Sequence, residues 1–229
     1  MNKLIIMSVL LLGILYPHIG LGSDLENKFK EGLNTYYAKR CSLLFTPARE
    51  YPVQVELYPL DMIDDLVMKE SLTEKNRINT SKYEALVKVG LLNVSVSSRT
   101  TSKQLFPEQT VNFNIPVNNY SLTKKGNLTF QSSGRQYANG DELMGFCMYV
   151  FEVIKISSST KPAPFKKKGK VAFVSYSMKA SKIANWVLNP IIQKEYQYDV
   201  PNSDNLNQVI DVEDKQIFLF NDNSWRPRR

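Results

Sequence analysis

The single histidine of the chain, His18, follows an apolar run over residues 4–15 that is itself preceded by Lys3. A cationic start, an apolar run of roughly 7–15 residues and then small residues (here Gly20, Gly22 and Ser23) spell a cleavable secretory signal. Cleavage is expected after Gly22 or Ser23, which leaves a mature chain with no histidine. That excludes Ser-His-Asp and Cys-His catalysis, histidine acid/base chemistry and His-ligated zinc. Two cysteines remain, Cys41 and Cys147. An even count in an exported chain implies one disulfide, and a nucleophilic cysteine would lack a histidine to activate it.

The carboxylates do not assemble into a recognisable site. Glu142, Glu152, Asp199, Asp204, Asp211, Glu213 and Asp214 are scattered, and a carboxylate pair for hydrolysis would have to form in space. Asp61, Asp64 and Asp65 lack the glycine and spacing of a calcium loop and read as the solvated start of a helix. Gly134 has no Gly-Lys-Ser/Thr continuation and marks a plain loop. The densest charge is Lys161, Lys166, Lys167, Lys168 and Lys170, a candidate contact for an anion or an acidic partner. The same lysines also suit a solvated hairpin tip that guards a sheet edge. No metal and no cofactor is expected.

The net charge of +7 falls by one when Lys3 leaves, so the protein is only mildly basic. The 43% of hydrophobic residues suffices for a globular core. No run after residue 22 is long and apolar enough to span a bilayer.

Apolar spacing near three and four predicts a helix over 24–44 through Leu25, Phe29, Leu33 and Tyr37. A short strand follows over 51–58, then a helix over 60–72. Asn79 or Thr80 is expected to cap a second helix ending at Gly90. Residues 91–96 alternate as a strand, 97–104 form a polar loop, and 110–117 return. The sequence then reads Tyr120-x-Leu122-Thr123-x-x-Gly126. The helix ending in Gly-Leu-Leu and this later motif resemble the winged-helix superfamily over about residues 60–130. Where that family continues into a helix, residues 127–130 read as extended. The resemblance implies DNA contacts by Lys75, Arg77, Lys82 and Lys88 on the helices and by Arg99 and Lys103 on the wing. An export signal argues against such a use, since a fold does not dictate its function.

Residues 131–142 read as a connector, 146–156 as a central strand apolar on both faces, and 170–178 as its hairpin partner. A helix over 180–187 capped by Ser181, a helix restarting at Asn189-Pro190, and a loop over 200–207 come next. Two late strands, 208–212 and 216–221, are expected around a turn at 213–215. Trp186 reads as core, and Trp225 lies either in a frayed tail or in a strand tucked into the sheet.

The expected fold class is α+β: a winged-helix-like module over 23–130 packed on an antiparallel β-rich module over 131–229. The expected function is an exported, periplasmic, non-catalytic binding or accessory protein. Its partner would be another envelope protein or a small toxic product, the latter for an immunity or resistance factor that protects its producer. A hydrolase with a carboxylate site and a DNA-binding winged-helix protein are the further alternatives.

Overall fold

The computed structural model describes residues 23–61, 63–106, 109–136, 140–165, 169–221 and 224–227. The expected leader, residues 1–22, and Lys166, Lys167 and Lys168 lie outside the described residues. From the N-terminus come α1 (Ser23–Ala38), β1 (Cys41–Leu44), β2 (Val53–Glu56) and α2 (Leu66–Lys88), then the hairpin of β3 (Leu92–Phe106) and β4 (Gln109–Leu122). The short α3 (Lys124–Thr129) leads to β5 (Phe130–Gln136), β6 (Glu142–Ser159), β7 (Ala163–Pro164) and β8 (Lys170–Ser181). A 3-10 turn (Asn185–Leu188), α4 (Pro190–Glu195) and α5 (Ser203–Asn207) precede β9 (Ile210–Asn221) and β10 (Ser224–Pro227). The strands form two antiparallel sheets. One runs β1-β6-β8-β9-β10, with β5 beside β6 and β7 beside β8; the other runs β2-β4-β3. The fold class is therefore α+β, as expected. Among the described residues no helix is long and apolar enough to cross a membrane.

Strand β6 is the centre of the large sheet, and its two apolar faces feed two cores. Val153 and Ile156 pack with Phe29 and Leu33 of α1, Val174 of β8 and Trp225 of β10. Phe146 and Met148 pack with Leu44 and Trp186, and in the same cluster with Leu86 of α2 and Tyr120 of β4. Full burial of one such side chain contributes about 1.5–3 kcal/mol. The two cores therefore outweigh the exposed ion pairs. Trp225 is in β10, and its ring meets Phe29 edge-on at 4.9 Å, so the tail is a strand docked on α1.

A helical asparagine closes an edge of the large sheet, and a second one pairs the chain just past β2. Asn34 of α1 accepts from the Val153 N–H at 2.7 Å and donates to its carbonyl at 3.4 Å. Lys30, one turn earlier, donates to the Ile154 carbonyl at 2.9 Å. Asn76 of α2 does the same just past β2, accepting from the Tyr58 N–H at 2.8 Å and donating to its carbonyl at 3.0 Å. A carboxamide presents a donor and an acceptor in one plane, which is what the open side of a strand requires.

Several expected elements change. The helix expected over 24–44 stops at Ala38, and Cys41–Leu44 pair with β6 instead. The two helices expected over 60–90 are one, Leu66–Lys88, whose N-cap is Asp65 accepting from the Met68 N–H at 2.8 Å. Thr80 cannot cap, because its hydroxyl bonds back to the Asn76 carbonyl one turn earlier. The polar stretch 97–104 is strand. Cross-strand bonds from Thr100 to Asn114 (2.9 Å) and from Ser102 to Asn112 (2.7 Å) make it one arm of a long ribbon.

Past β4, residues 124–129 are helical, because Thr123 accepts from the Gly126 N–H at 2.9 Å as an N-cap, so of the run expected to be extended over 127–130 only Phe130 is strand. The connector expected over 131–142 carries β5, bonded to β6. Strand β8 continues through Ser181, so the helix expected over 180–187 is reduced to the turn Asn185–Leu188 at its end, while 203–207 forms α5. The turn expected at 213–215 is absorbed into one strand, Ile210–Asn221.

The motif Tyr120-x-Leu122-Thr123-x-x-Gly126 has a local physical reason. Tyr120 stacks on Tyr83 at 4.7 Å and donates to Glu84 at 2.7 Å. Thr123 donates from its N–H to the Leu91 carbonyl at 3.0 Å and from its hydroxyl to the Gly90 carbonyl at 2.7 Å. Gly126 lies so close to the Leu91 carbonyl that a Cβ would collide with backbone. Gly126→Ala is therefore expected to destabilise by about 1–3 kcal/mol. Exposed Lys124→Ala, two residues away, should stay within about 0.5 kcal/mol. Urea unfolding of both variants measures the difference, and equal stabilities would refute the close packing.

Candidate ligand-binding cleft

A cleft of about 720 Å³ opens between one end of the large sheet and the segment joining α4 to α5. Asn189 caps α4 by accepting from the Ile191 N–H at 3.0 Å, with Pro190 at the first helical position. Tyr196 follows, buried, and donates to the Lys82 carbonyl of α2 at 3.0 Å. The Lys82 ammonium lies 5.0 Å from the Tyr196 ring centroid and 3.3 Å from the Asp199 carboxylate. Gln193 donates to the Val187 and Pro201 carbonyls at 2.8 and 3.2 Å, and Asn202 caps α5 by accepting from the Asn205 N–H at 2.8 Å. With Val200 and Leu206 buried on the inner side, Gln197, Tyr198 and Asn205 are left exposed on the outer wall.

The inner wall consists of Ser42, Leu43 and Phe45 from β1 and its exit, with Met148 and Tyr149 of β6. Cys41 and Cys147 form the expected disulfide, with Cα atoms 5.4 Å apart, and it clamps β1 to β6 beside the cleft. The pairing register shifts between Ser42 and Leu43, so β1 carries a bulge at the edge of the sheet.

The cleft is nearly neutral. Asp199 is the one carboxylate on its lining, and Lys82 offsets its charge. Carboxamides and aromatic rings dominate the rest. Phe45 is 46% exposed and Tyr198 93%. An exposed tyrosine contributes almost nothing to the core, whereas a ring beside a cleft offers a flat apolar face and a hydroxyl. The phenols behind the walls are kept neutral: burial raises Tyr196 above the ordinary tyrosine range and pushes Tyr51 up to about 12. The arrangement can bind an uncharged ligand through paired donors and acceptors.

Of the sequence-derived candidates, Asp199 lines the cleft and Lys82 braces it, while the basic cluster lies elsewhere. Lys161 and Lys170 are exposed at either end of the β6–β8 connection, and neither lines the cleft. The lysines between them fall outside the described residues. Of the cations expected to contact DNA, Arg77 pairs with Glu74 at 2.6 Å, Arg99 with Glu56 at 2.6 Å and Lys82 with Asp199, while Lys75 lies over the Tyr58 ring at 5.8 Å. Lys88 is exposed, and the Lys103 side chain is outside the description. Asp211 accepts from Ser177 at 2.6 Å, a packing role inside the sheet. Among the described residues no three of His, Cys, Asp and Glu gather as a metal site.

Gln197, Tyr198 and Asn205 are not among the sequence-derived candidates. The signal for them was present, since Gln193, Gln197, Asn202, Asn205, Asn207 and Gln208 crowd one short stretch. In sequence that stretch divides between the end of a helix and a polar loop, and only β1 placed opposite gives it a common face.

Comparison with protein-family models finds no match, and comparison with curated proteins and with solved structures finds no similar protein.

Two outcomes follow from the clamped, tyrosine-backed walls. Replacing both cysteines by serine is expected to cost about 2–5 kcal/mol. Hydrogen exchange should show protection lost first in Cys41–Leu44, and unchanged exchange there would contradict the clamping role. Separately, Tyr51 stays neutral in the folded protein while the unfolded chain ionises at the ordinary value near 10. Stability is thus fully present below about pH 10 and declines as pH rises toward 12. Melting temperature across pH 9–12, with tyrosinate absorbance, tests this, and Tyr51→Phe should lessen the decline, the remainder coming from Tyr120, Tyr176 and Tyr196, which burial also raises.

Proposed function

We propose that this protein is exported and acts as a non-catalytic binding module, holding a small ligand in the cleft between β1–β6 and the α4–α5 segment. The observation that carries the reading is the contrast within the outer wall. Its backbone and inner side chains are fixed by Tyr196, Gln193 and Asn202, while Gln197, Tyr198 and Asn205 extend into solvent without stabilising the fold. A rigid wall carrying uncommitted polar and aromatic groups is the usual make-up of a recognition surface. The volume falls within the roughly 300–1,000 Å³ typical of small-molecule sites, which favours a small product over an envelope protein as the occupant.

Export is supported by the apolar run over 4–15 and by the disulfide, which persists in oxidising compartments. Catalysis has little support in the cleft: its one carboxylate is ion-paired with Lys82, and no second carboxylate lines the cleft to complete an acid/base pair. The DNA-binding reading is weakened, since three of its six cations, Arg77, Arg99 and Lys82, already face carboxylates.

The test fills the cleft. Ser42→Trp and Asn205→Trp place bulk on opposite walls, and circular dichroism confirms that the variants fold. Small-molecule fractions of a periplasmic extract should raise the melting temperature of the wild type by several degrees through linkage, and not that of the filled variants. Equal stabilisation of wild type and variants, or none at all, would remove the reading.

A further inference from the structure

We infer that the ligand of the cleft is a neutral, polyhydroxylated molecule, a short saccharide chain; this rests on the binding reading above and names its ligand class. Three observations converge. The first is charge. The lining holds Asp199 alone as a titratable carboxylate, and Lys82 sits 3.3 Å from it, so the site has no net field to attract an anion or a cation. In a chain with a net charge of +7, a site for a phosphate or a carboxylate would be expected to show an uncommitted lysine or arginine. The lining shows none.

The second is the set of hydrogen-bonding groups. Gln197 and Asn205 are exposed carboxamides, each offering a donor and an acceptor in one plane. Adjacent ring hydroxyls, each both donor and acceptor, match that spacing. Gln193 spends its amino group on the Val187 and Pro201 carbonyls, and no bond ties up its own carbonyl oxygen, which leaves an acceptor at the lining. Ser42 adds a hydroxyl from the facing wall.

The third is the aromatic groups. Tyr198, 93% exposed, and Phe45, 46% exposed, stand on opposite walls, with Tyr149 half-buried between strands. The C–H-rich face of a pyranose is apolar while its rim is polar. Flat rings beside planar amides are complementary to that amphipathic shape. Several aromatic groups along an open cleft of about 720 Å³ suit an extended chain of sugars better than a compact monosaccharide.

An extended peptide is the competing occupant, since β1 is the outer strand of its sheet. Strand addition needs an unbroken edge, and β1 has only four residues with a register shift between Ser42 and Leu43. Bulges and shortness are devices by which edges refuse a further strand.

The experiment titrates the mature, disulfide-bonded protein with chitotetraose, cellotetraose and maltotetraose, with tetra-alanine and polyglutamate alongside, by calorimetry and by NMR shift mapping. At least one tetrasaccharide is expected to bind saturably, with shifts at Gln197, Tyr198 and Asn205. Tyr198→Ala should weaken it at least tenfold and Gln197→Ala about fivefold, while both variants keep the wild-type melting temperature because these side chains are exposed. Binding that survives Tyr198→Ala overturns the proposal. Saturable binding of tetra-alanine in the cleft, with none of any saccharide, overturns the ligand class while the binding reading stands. Wild-type stabilisation by extract that the filled variants lack, with no saccharide bound, has the same meaning. Indifference of the wild type to saccharides, peptide and extract alike removes both readings. Salt-sensitive binding of polyglutamate alone transfers the site to the basic surface and overturns the proposal.

Discussion

Peptide groups at the open side of a strand must find partners, and in this protein two helices supply them through asparagine side chains. Asn34 occupies both polar groups of Val153, and Asn76 both polar groups of Tyr58. The consequence reaches well beyond two pairs of hydrogen bonds. Fixing Asn34 on β6 sets the position of α1, and therefore which of its residues, Phe29 and Leu33, enter the core with Val153 and Trp225. Leaving the buried Val153 groups unpaired would cost about 1–3 kcal/mol each, comparable to the burial of a core side chain, so the placement of α1 and the closure of the large sheet are energetically one problem, whereas the exposed Tyr58 groups could turn to water.

The same logic organises the junction around Leu91. Its carbonyl receives the Thr123 N–H and lies against Gly126, where a side chain would not fit. Helix α2, the base of the β3–β4 ribbon and the start of α3 meet there. Tyr120 and Tyr83 stack just inside. The short motif that resembles a winged helix is thus explained by a packing constraint at one carbonyl. Beyond that junction the ribbon runs out into solvent, with Val96 exposed to 74%, and its register there is kept by serine, threonine and asparagine pairs rather than by a core.

The cleft inherits its shape from both arrangements. Its inner wall is the disulfide-clamped pair of β1 and β6, and its outer wall hangs on α2 through Tyr196 and Lys82. A lysine that the sequence offers as a nucleic-acid contact is therefore a bracket. The walls are stiff where they meet the cores and carry polar and aromatic groups only where they face solvent.

The sequence alone was enough for the features that depend on local spacing. Cysteine parity foretold the Cys41–Cys147 bridge, the two-sided apolar run foretold a central β6, Asn189-Pro190 foretold the start of α4, and Gly90, at a φ of 74°, foretold the end of α2. It misread elements whose state is decided by a distant partner. Cys41–Leu44 continue a helical pattern yet become a strand because β6 offers a ladder. Residues 97–104 look like a loop yet become a strand because their hydroxyls and amides find mates across the hairpin. The amide-rich stretch after α4 was visible as composition, but composition has no direction. Only the tertiary structure, by holding Tyr196 inward on α2, turned Gln197, Tyr198 and Asn205 into the rim of a cleft.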